Sequence, residues 1–254
     1  NNPLNVFDIS NSSFQVRGRL VLDTPTAANI TLKVGDGYNI TWTKWGAVQF
    51  VNLSYSTTSD SPPSTAIVSN LSATPSTYGW TVPDTIGNNL RVKVEDTSNP
   101  NVYNISSNDF RIIGKIDIVK PDAAGEPEWV VGSSNQIQWI PTGNYSFVRI
   151  EGSTNGFADE NQTWYIDTVA AGLSSQLQVY NYSPVGDKIS SNVKMRVSDS
   201  LRQADVNNIS QYPFKIKGKL EVISPNAGTE EWIAGTQPTA TPIRWQRTGS
   251  IANI

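Results

Sequence analysis

Paired carboxylates are the residues of this chain whose spacing could support catalysis. The stretches GEPEW (residues 125–129) and GTEEW (228–232) each hold two glutamates close together. A glycosidase needs two carboxylates that face each other across a sugar. The corresponding stretch near the start of the chain, ANITLKVG (28–35), has none. A catalytic pair that some copies of a repeat lack is a poor candidate for an active site, and we predict that the chain is not an enzyme.

The absence of histidine and cysteine removes further chemistry. A zinc site needs one or the other, so structural or catalytic zinc is close to excluded. Ser-His-Asp and Cys-His catalysis are excluded outright. Disulfides cannot hold the chain together, whatever its compartment. No cofactor is predicted.

Calcium is the one metal that the sequence leaves open. Hard oxygen ligands at domain boundaries could bind Ca²⁺ and stiffen an array. The chain has no EF-hand or Asp-x-Asp loop, so solvated acids in turns are the alternative interpretation. The carboxylates considered end two equivalent strands or lie near a domain start: Asp96, Asp199, Asp117, Asp122, Glu126 and Glu128.

Ten asparagines fit the Asn-x-Ser/Thr pattern for N-glycosylation. The excess over chance is about twofold, and a polar strand surface would also produce it. Asn39 and Asn52 have the outward parity that a glycan requires. The ten candidate sites are Asn11, Asn29, Asn39, Asn52, Asn70, Asn104, Asn144, Asn161, Asn181 and Asn208.

Aromatic residues divide into a core set and a set that could face solvent. Trp42, Trp139 and Trp245 occupy one repeated position on an alternating strand, which predicts core. Trp45 has the opposite parity to Trp42. The stretch TWYID, which contains Trp164, must turn at least one aromatic outward. Outward aromatics can stack on sugars or pack against a neighbouring subunit.

These residues belong to a repeated unit of about 100 residues. Three segments align: FQVRGRLVLDTP (14–25), FRIIGKIDIVKP (110–121) and FKIKGKLEVISP (214–225). We therefore predict the last strand of a preceding unit at 1–17, complete units at 18–113 and 114–217, and the start of a further unit at 218–254. The two partial units are expected to be completed by further chain or by another subunit.

Each complete unit consists of short alternating stretches separated by turn signals. Apolar and polar residues alternate with period two, which indicates half-buried strands. About seven such strands in about 100 residues predict an all-β chain of tandem Ig-like antiparallel β-sandwiches.

The repeat junctions suggest a rod-like array. Gly18, Gly114 and Gly218 each lie between the last strand of one unit and the first strand of the next, with no flexible spacer. The glycine is expected to permit a backbone kink or the close approach of neighbouring domains.

The repeated pattern resembles the Ig-like or fibronectin-III-like modules of microbial cell-surface proteins. It is also similar to the N-terminal domain of the fungal Kre9/Knh1-like cell-wall family. The resemblance implies a sandwich fold and an extracellular, surface-associated protein without catalytic residues. In the first complete unit, Leu32 replaces the first tryptophan of the pattern. The matching residues are Pro121, Glu128, Trp129, Gly132, Ile137, Trp139, Ser210, Phe214 and Ile216.

Two functions follow as hypotheses. The first is a structural or adhesive stalk, fibre or filament, whose partners are neighbouring repeats or identical subunits. The second is a carbohydrate-binding accessory array that anchors to cell-wall polysaccharide. The net charge of −3 comes with no basic cluster, so nucleic acid is not a predicted partner. No apolar run has the length of a membrane span.

Overall fold

The strands follow the alternation of apolar and polar residues. The computed structural model describes residues 8–59, 62–125, 128–229, 231–235 and 243–252. The chain divides into two compact units, Asn1–Ile112 and Ile113–Ile254. The division falls beside the predicted junction at Gly114; the other predicted boundaries stay predictions. Among the described residues, no helix has the length and apolar character that crossing a membrane would require.

The first nine strands form one sandwich. They are β1 (Arg19–Thr24), β2 (Thr31–Lys33), β3 (Gly37–Trp45), β4 (Phe50–Ser56), β5 (Thr65–Ser72), β6 (Thr77–Thr81), β7 (Gly87–Asp96), β8 (Tyr103–Ile105) and β9 (Phe110–Ile113).

The next nine strands repeat this order, with a short 3-10 turn at Glu160–Gln162 before the fifth. They are β10 (Lys115–Lys120), β11 (Trp129–Val130), β12 (Asn135–Thr142), β13 (Phe147–Ser153), β14 (Thr163–Ala170), β15 (Gln178–Tyr182), β16 (Ser190–Asp199), β17 (Asn207–Ile209) and β18 (Phe214–Lys217). A two-stranded sheet of β19 (Lys219–Ser224) and β20 (Arg244–Thr248) follows.

Each sandwich has a three-stranded and a larger sheet. The orders are β1-β3-β6 and β2-β9-β7-β4-β5 in the first, with β8 beside β7. In the second they are β10-β12-β15 and β11-β18-β16-β13-β14, with β17 beside β16. The fold is thus the predicted all-β series of sandwiches. Each unit has nine strands instead of the expected seven. The first stretch of the unit contributes one strand to each sheet, and a short extra strand precedes the last strand of the unit.

The repeated tryptophans of the two complete sandwiches lie in their cores. Trp42 and Trp139 are each 2% exposed, which confirms the prediction from parity. Trp129 is buried, and so is Leu32 at the equivalent place in the first unit. A large apolar residue satisfies this position whether or not it is aromatic, because the role is burial.

The prediction for Trp245 was wrong. Its side chain is 51% exposed on β20. Strands β19 and β20 form a two-stranded sheet, and no facing sheet covers it in the part of the chain that the structure describes. Residues 8–18 likewise form no strand, so Phe14 and Val16, which match the buried Phe110 and Ile112, are exposed.

Candidate functional site

An Asn-Ile-Ser tripeptide forms the same hydrogen bonds in both sandwiches. The Asn104 Oδ1 accepts the backbone N–H of Leu22 at 2.8 Å, and the Asn208 Oδ1 accepts that of Ile118 at 3.1 Å. Each bond ties the first strand of a unit to the short strand near its end. Two of the predicted glycosylation sites therefore also hold the fold together.

The serine of each tripeptide is fully internal. Ser106 and Ser210 are 1% and 0% exposed. Their hydroxyls accept the backbone N–H groups of Val92 and Met195 at 3.2 and 3.1 Å. Buried hydroxyls need such partners, because an unsatisfied one costs free energy.

The ten predicted glycosylation sites differ in exposure. Asn52, Asn104 and Asn208 are half-buried, and each uses its Oδ1 to accept a backbone N–H. Asn39 is exposed on β3 opposite Gly79, so its surroundings on the three-stranded sheet are open. The other exposed sites are Asn11, Asn29, Asn70, Asn144, Asn161 and Asn181. Glycosylation itself stays a prediction.

The two strand-ending aspartates form turns. Asp96 and Asp199 are 7% and 2% exposed. Their Oδ1 atoms accept the backbone N–H groups of Ser98 and Leu201 at 2.9 and 3.0 Å. Asp199 also contacts Arg202 at 3.4 Å. Turn formation accounts for the recurrence of this residue without a bound ion.

The other acids considered for calcium are separated and engaged elsewhere. Asp122 accepts the backbone N–H of Gln211. Glu128 pairs with Lys217 and Lys215, and the hydrogen bond from Lys217 contributes most to lowering the pKa of that carboxyl. Asp117 is exposed on β10, and Glu126 lies outside the described residues. Within the described ranges, no three His, Cys, Asp or Glu side chains gather where they could hold a metal ion.

The junction glycines contact their own unit closely. A Cβ on Gly114 would lie 2.6 Å from Tyr145 Cε1 and 2.9 Å from the backbone oxygen of Thr142. A Cβ on Gly18 would lie 2.7 Å from Val48 Cγ2, and one on Gly218 would lie 2.7 Å from Ile251 Cγ1. Each glycine packs tightly against the turn that follows β3, β12 or β20, and this close approach explains why the residue is a glycine. The junction role of these three residues stays a prediction.

The outer face of the large sheet in the second unit carries a charged network. Glu151 is 4% exposed and lies between Arg149 at 2.8 Å and Arg196 at 2.9 Å. Arg196 also binds Glu160, and this hydrogen bond is the main cause of the lowered pKa of the Glu160 carboxyl. Arg196 responds with a raised pKa, again chiefly through Glu160. The network fixes the 3-10 turn onto the sheet.

The predicted outward aromatics are found at the surface. Trp45 is 48% exposed, and the guanidinium of Arg19 lies 4.9 Å from its ring centroid. Tyr165 is 53% exposed, with the Arg149 guanidinium 5.1 Å from its ring. Each exposed ring is thus covered in part by a cation from a neighbouring strand, which reduces the flat area left for stacking.

Trp164 has a different environment, at an open cleft of the second unit. The cleft has a volume of about 490 Å³. Its walls come from the turn before β14, the start of that strand and the segment before β16. Residues lining it include Thr154, Asn161, Gln162, Trp164, Asp187 and Lys188.

The residue that makes room for Trp164 was missed from the sequence. Gly152 lies opposite Trp164 in the β13–β14 register, and a Cβ there would be 2.2 Å from Trp164 Cζ2. The equivalent residue of the first unit is Tyr55, opposite Thr65. Aligning FVNLSYS with FVRIEGS would have revealed the exchange of Tyr55 for Gly152.

Comparison with known proteins supplies no assignment of function. No family model matches the chain, and no curated protein matches it. The resemblance to the Kre9/Knh1-like cell-wall family therefore gains no support. Solved structures that match the chain include Ig-like and fibronectin-III-like modules.

Three solved structures illustrate the likeness. Fibronectin(III)-like modules of Clostridium thermocellum CbhA share 13% identity at a TM-score of 0.25, over 78% of this chain and 94% of that one. Three N-terminal domains of the bacteriophage RB49 outer capsid protein Hoc share 13% identity at a TM-score of 0.25, over 82% of this chain and 61% of that one. The two Ig domains of DIP-gamma share 9% identity at a TM-score of 0.27, over 78% of this chain and 97% of that one. At these values the similarities carry no argument about this chain.

Proposed function

We propose that this chain is a non-catalytic, extracellular repeat protein that contributes to a stalk, fibre or filament at a cell surface. The observation that supports this function is that the residues shared by the two sandwiches are structural ones. The equivalent residues are core tryptophans, turn-forming aspartates and the Asn-Ile-Ser tripeptide, all of which maintain the fold.

The groups that could recognise a ligand differ between the units. Glu151 of the charged network corresponds to Ser54, and Trp164 corresponds to Thr65. A repeat that retains its structural residues while its surface varies fits a role in which each unit mainly extends the array. The partners proposed for such an array are neighbouring repeats or identical subunits.

An extracellular location is proposed together with N-glycosylation of the exposed sites. Seven of the ten candidate asparagines are exposed. Glycans on the three-stranded sheet, for instance at Asn39, would leave the core untouched.

Small-angle X-ray scattering of the 254-residue chain tests the rod-like arrangement. A single globule of this length has a radius of gyration of about 18 Å. Two units of about 13 Å each in an extended array should give a clearly larger value. A measured value near that of the globule would contradict the proposal.

A linker variant serves as the matched comparison. Inserting a short Gly-Ser segment after Gly114 should broaden the distribution of interatomic distances, because such linkers behave as flexible coils. An unchanged distribution would mean that the wild-type junction is already flexible, which a stalk would not be.

A carbohydrate-binding accessory role is the second candidate function. The specific observation that favours it is the cleft beside Trp164, which combines an aromatic ring with polar side chains.

A further inference from the structure

The cleft of the second unit departs from the repeat in one respect. In the first unit Tyr55 is buried, its ring centroid lies 5.8 Å from that of Trp80, and its hydroxyl is 3.2 Å from Thr85 Oγ1. In the second unit Gly152 takes the place of Tyr55, and the large ring comes from Trp164 on the adjacent strand. The aromatic group has moved from the interior to the rim of an open cleft.

The exchange has a geometric consequence for the indole. The ring lies directly on Gly152, since a Cβ at that residue would overlap it at 2.2 Å. Trp164 is half-buried, so the ring is fixed on one side while part of it remains accessible. Its Nε1 has no hydrogen-bond partner among the described residues.

Polar side chains line the same cleft as this ring. The amide of Asn161 and the ammonium of Lys188 are on exposed residues, and Lys188 Nζ lies 5.8 Å from the Trp164 ring centroid. Gln162 is held by Thr154 at 3.0 Å. Asp187 accepts the Ser250 hydroxyl at 2.5 Å, the main cause of its lowered pKa, so it stays a carboxylate at neutral pH.

We propose that this cleft binds a neutral hexopyranose unit of a polysaccharide. One face of a pyranose ring is made of C–H groups that pack on an indole, whereas its hydroxyls need donors and acceptors of the amide and carboxylate kind. The presence of both Asp187 and Lys188 disfavours a ligand of strong charge of either sign. A volume of about 490 Å³ is within the range of small-ligand sites.

This inference rests on the second candidate function, carbohydrate binding, and is independent of the stalk role. A stalk could lack the sugar site, and a sugar-binding array need not be extended, so scattering and binding experiments test the two separately. The first unit, with Tyr55 and Thr65, provides an internal reference for a sandwich without the site.

The test is affinity electrophoresis of the 254-residue chain in gels that contain laminarin, yeast mannan, galactan or hydroxyethyl cellulose. At least one of these neutral polysaccharides should retard the wild-type chain. Trp164→Ala should weaken that retardation roughly tenfold or more, since the stacking surface is removed. Tyr165→Ala, which alters an exposed ring covered by Arg149, should leave it unchanged.

A second variant guards against loss of folding. The double substitution Gly152→Tyr with Trp164→Thr reproduces the arrangement of the first unit. It should retain the thermal transition of the second unit and lose the retardation. The proposal is overturned if none of the four polysaccharides retards the chain, if only an anionic one such as alginate does, or if the folded double variant binds as well as the wild type.

Discussion

Replacing Gly114 by alanine should destabilise the second sandwich. The added Cβ would lie 2.6 Å from Tyr145 Cε1 and 2.9 Å from the backbone oxygen of Thr142. Real Cβ contacts are longer than this, so both neighbours would have to move. The tyrosine cannot do so freely, because its hydroxyl donates to the Lys115 carbonyl oxygen at 2.9 Å.

The magnitude follows from these two contacts. Overpacking of this kind costs about 1–3 kcal/mol. Loss of the tyrosine hydrogen bond adds about 0.5–1.5 kcal/mol. We therefore expect the free energy of unfolding to fall by roughly 2–4 kcal/mol. Each kcal/mol lowers Tm by about 4–8 °C for a domain of this size.

Differential scanning calorimetry of the whole chain measures the effect, with one transition assigned to each sandwich. The transition of the second unit should shift and that of the first should stay. Gly37→Ala is the matched control, because no atom lies within 4 Å of its added Cβ and its φ is not positive. That control should change stability by less than about 1 kcal/mol, and an increase would be reasonable.

Gly18→Ala provides a graded comparison. Its nearest backbone atom, the Trp45 oxygen, is 3.1 Å from the added Cβ, and the closer contact, at 2.7 Å, is with the side-chain atom Val48 Cγ2. The loss in the first unit should be smaller than that at Gly114. If Gly114→Ala is as stable as the wild type, the glycine is not required by packing within the unit.

Three further predictions concern asparagines and an ion pair. Asn208→Ala should lower the free energy of unfolding of the second unit by about 1–3 kcal/mol in urea titrations, because a backbone N–H loses its acceptor, whereas the exposed Asn161→Ala should cost under about 0.5 kcal/mol. In a secretory expression host, glycopeptide mass spectrometry should find higher occupancy at Asn39 than at Asn208; the reverse order would contradict the distinction by exposure. The Glu160 pKa is lowered below its ordinary 4.5 by Arg196, so its contribution to stability is present above pH 4.5 and lost as pH falls through the folded-state value. Glu160→Gln should therefore show a shallower fall of Tm between pH 5 and pH 3 than the wild type, and parallel curves would refute that linkage.

Much of the fold could be predicted because its determinants are local. Period-two alternation places Trp42 and Trp139 inward wherever the strands pair, and their burial needs only a facing sheet. The same rule failed for Trp245, since parity indicates a side of the strand and cannot indicate whether another sheet covers it.

The candidate site depended on contacts between distant residues. The bond from Ile118 to Asn208 joins positions 90 residues apart, and a glycosylation motif looks the same whether or not its amide is engaged. Trp164 meets Gly152 only through a register that shifts between Ile150 and Glu151. Spacing along the chain could not reveal that irregularity. The sequence could not distinguish two roles for Asp199 either, because an aspartate at the end of a strand can form a turn or bind a metal ion.

The parallel pairing of β11 with β18 determines how the second sandwich would respond to tension. Trp129 pairs with Ile216 and Val130 with Lys217, and Val131 donates to the Lys217 oxygen at 2.9 Å. Strand β11 lies near the beginning of the unit and β18 at its end. A force that separates the two ends therefore slides these strands lengthwise past each other. Their hydrogen bonds are then loaded together in shear instead of opening one after another. A small number of bonds resists a stretching force best in this arrangement.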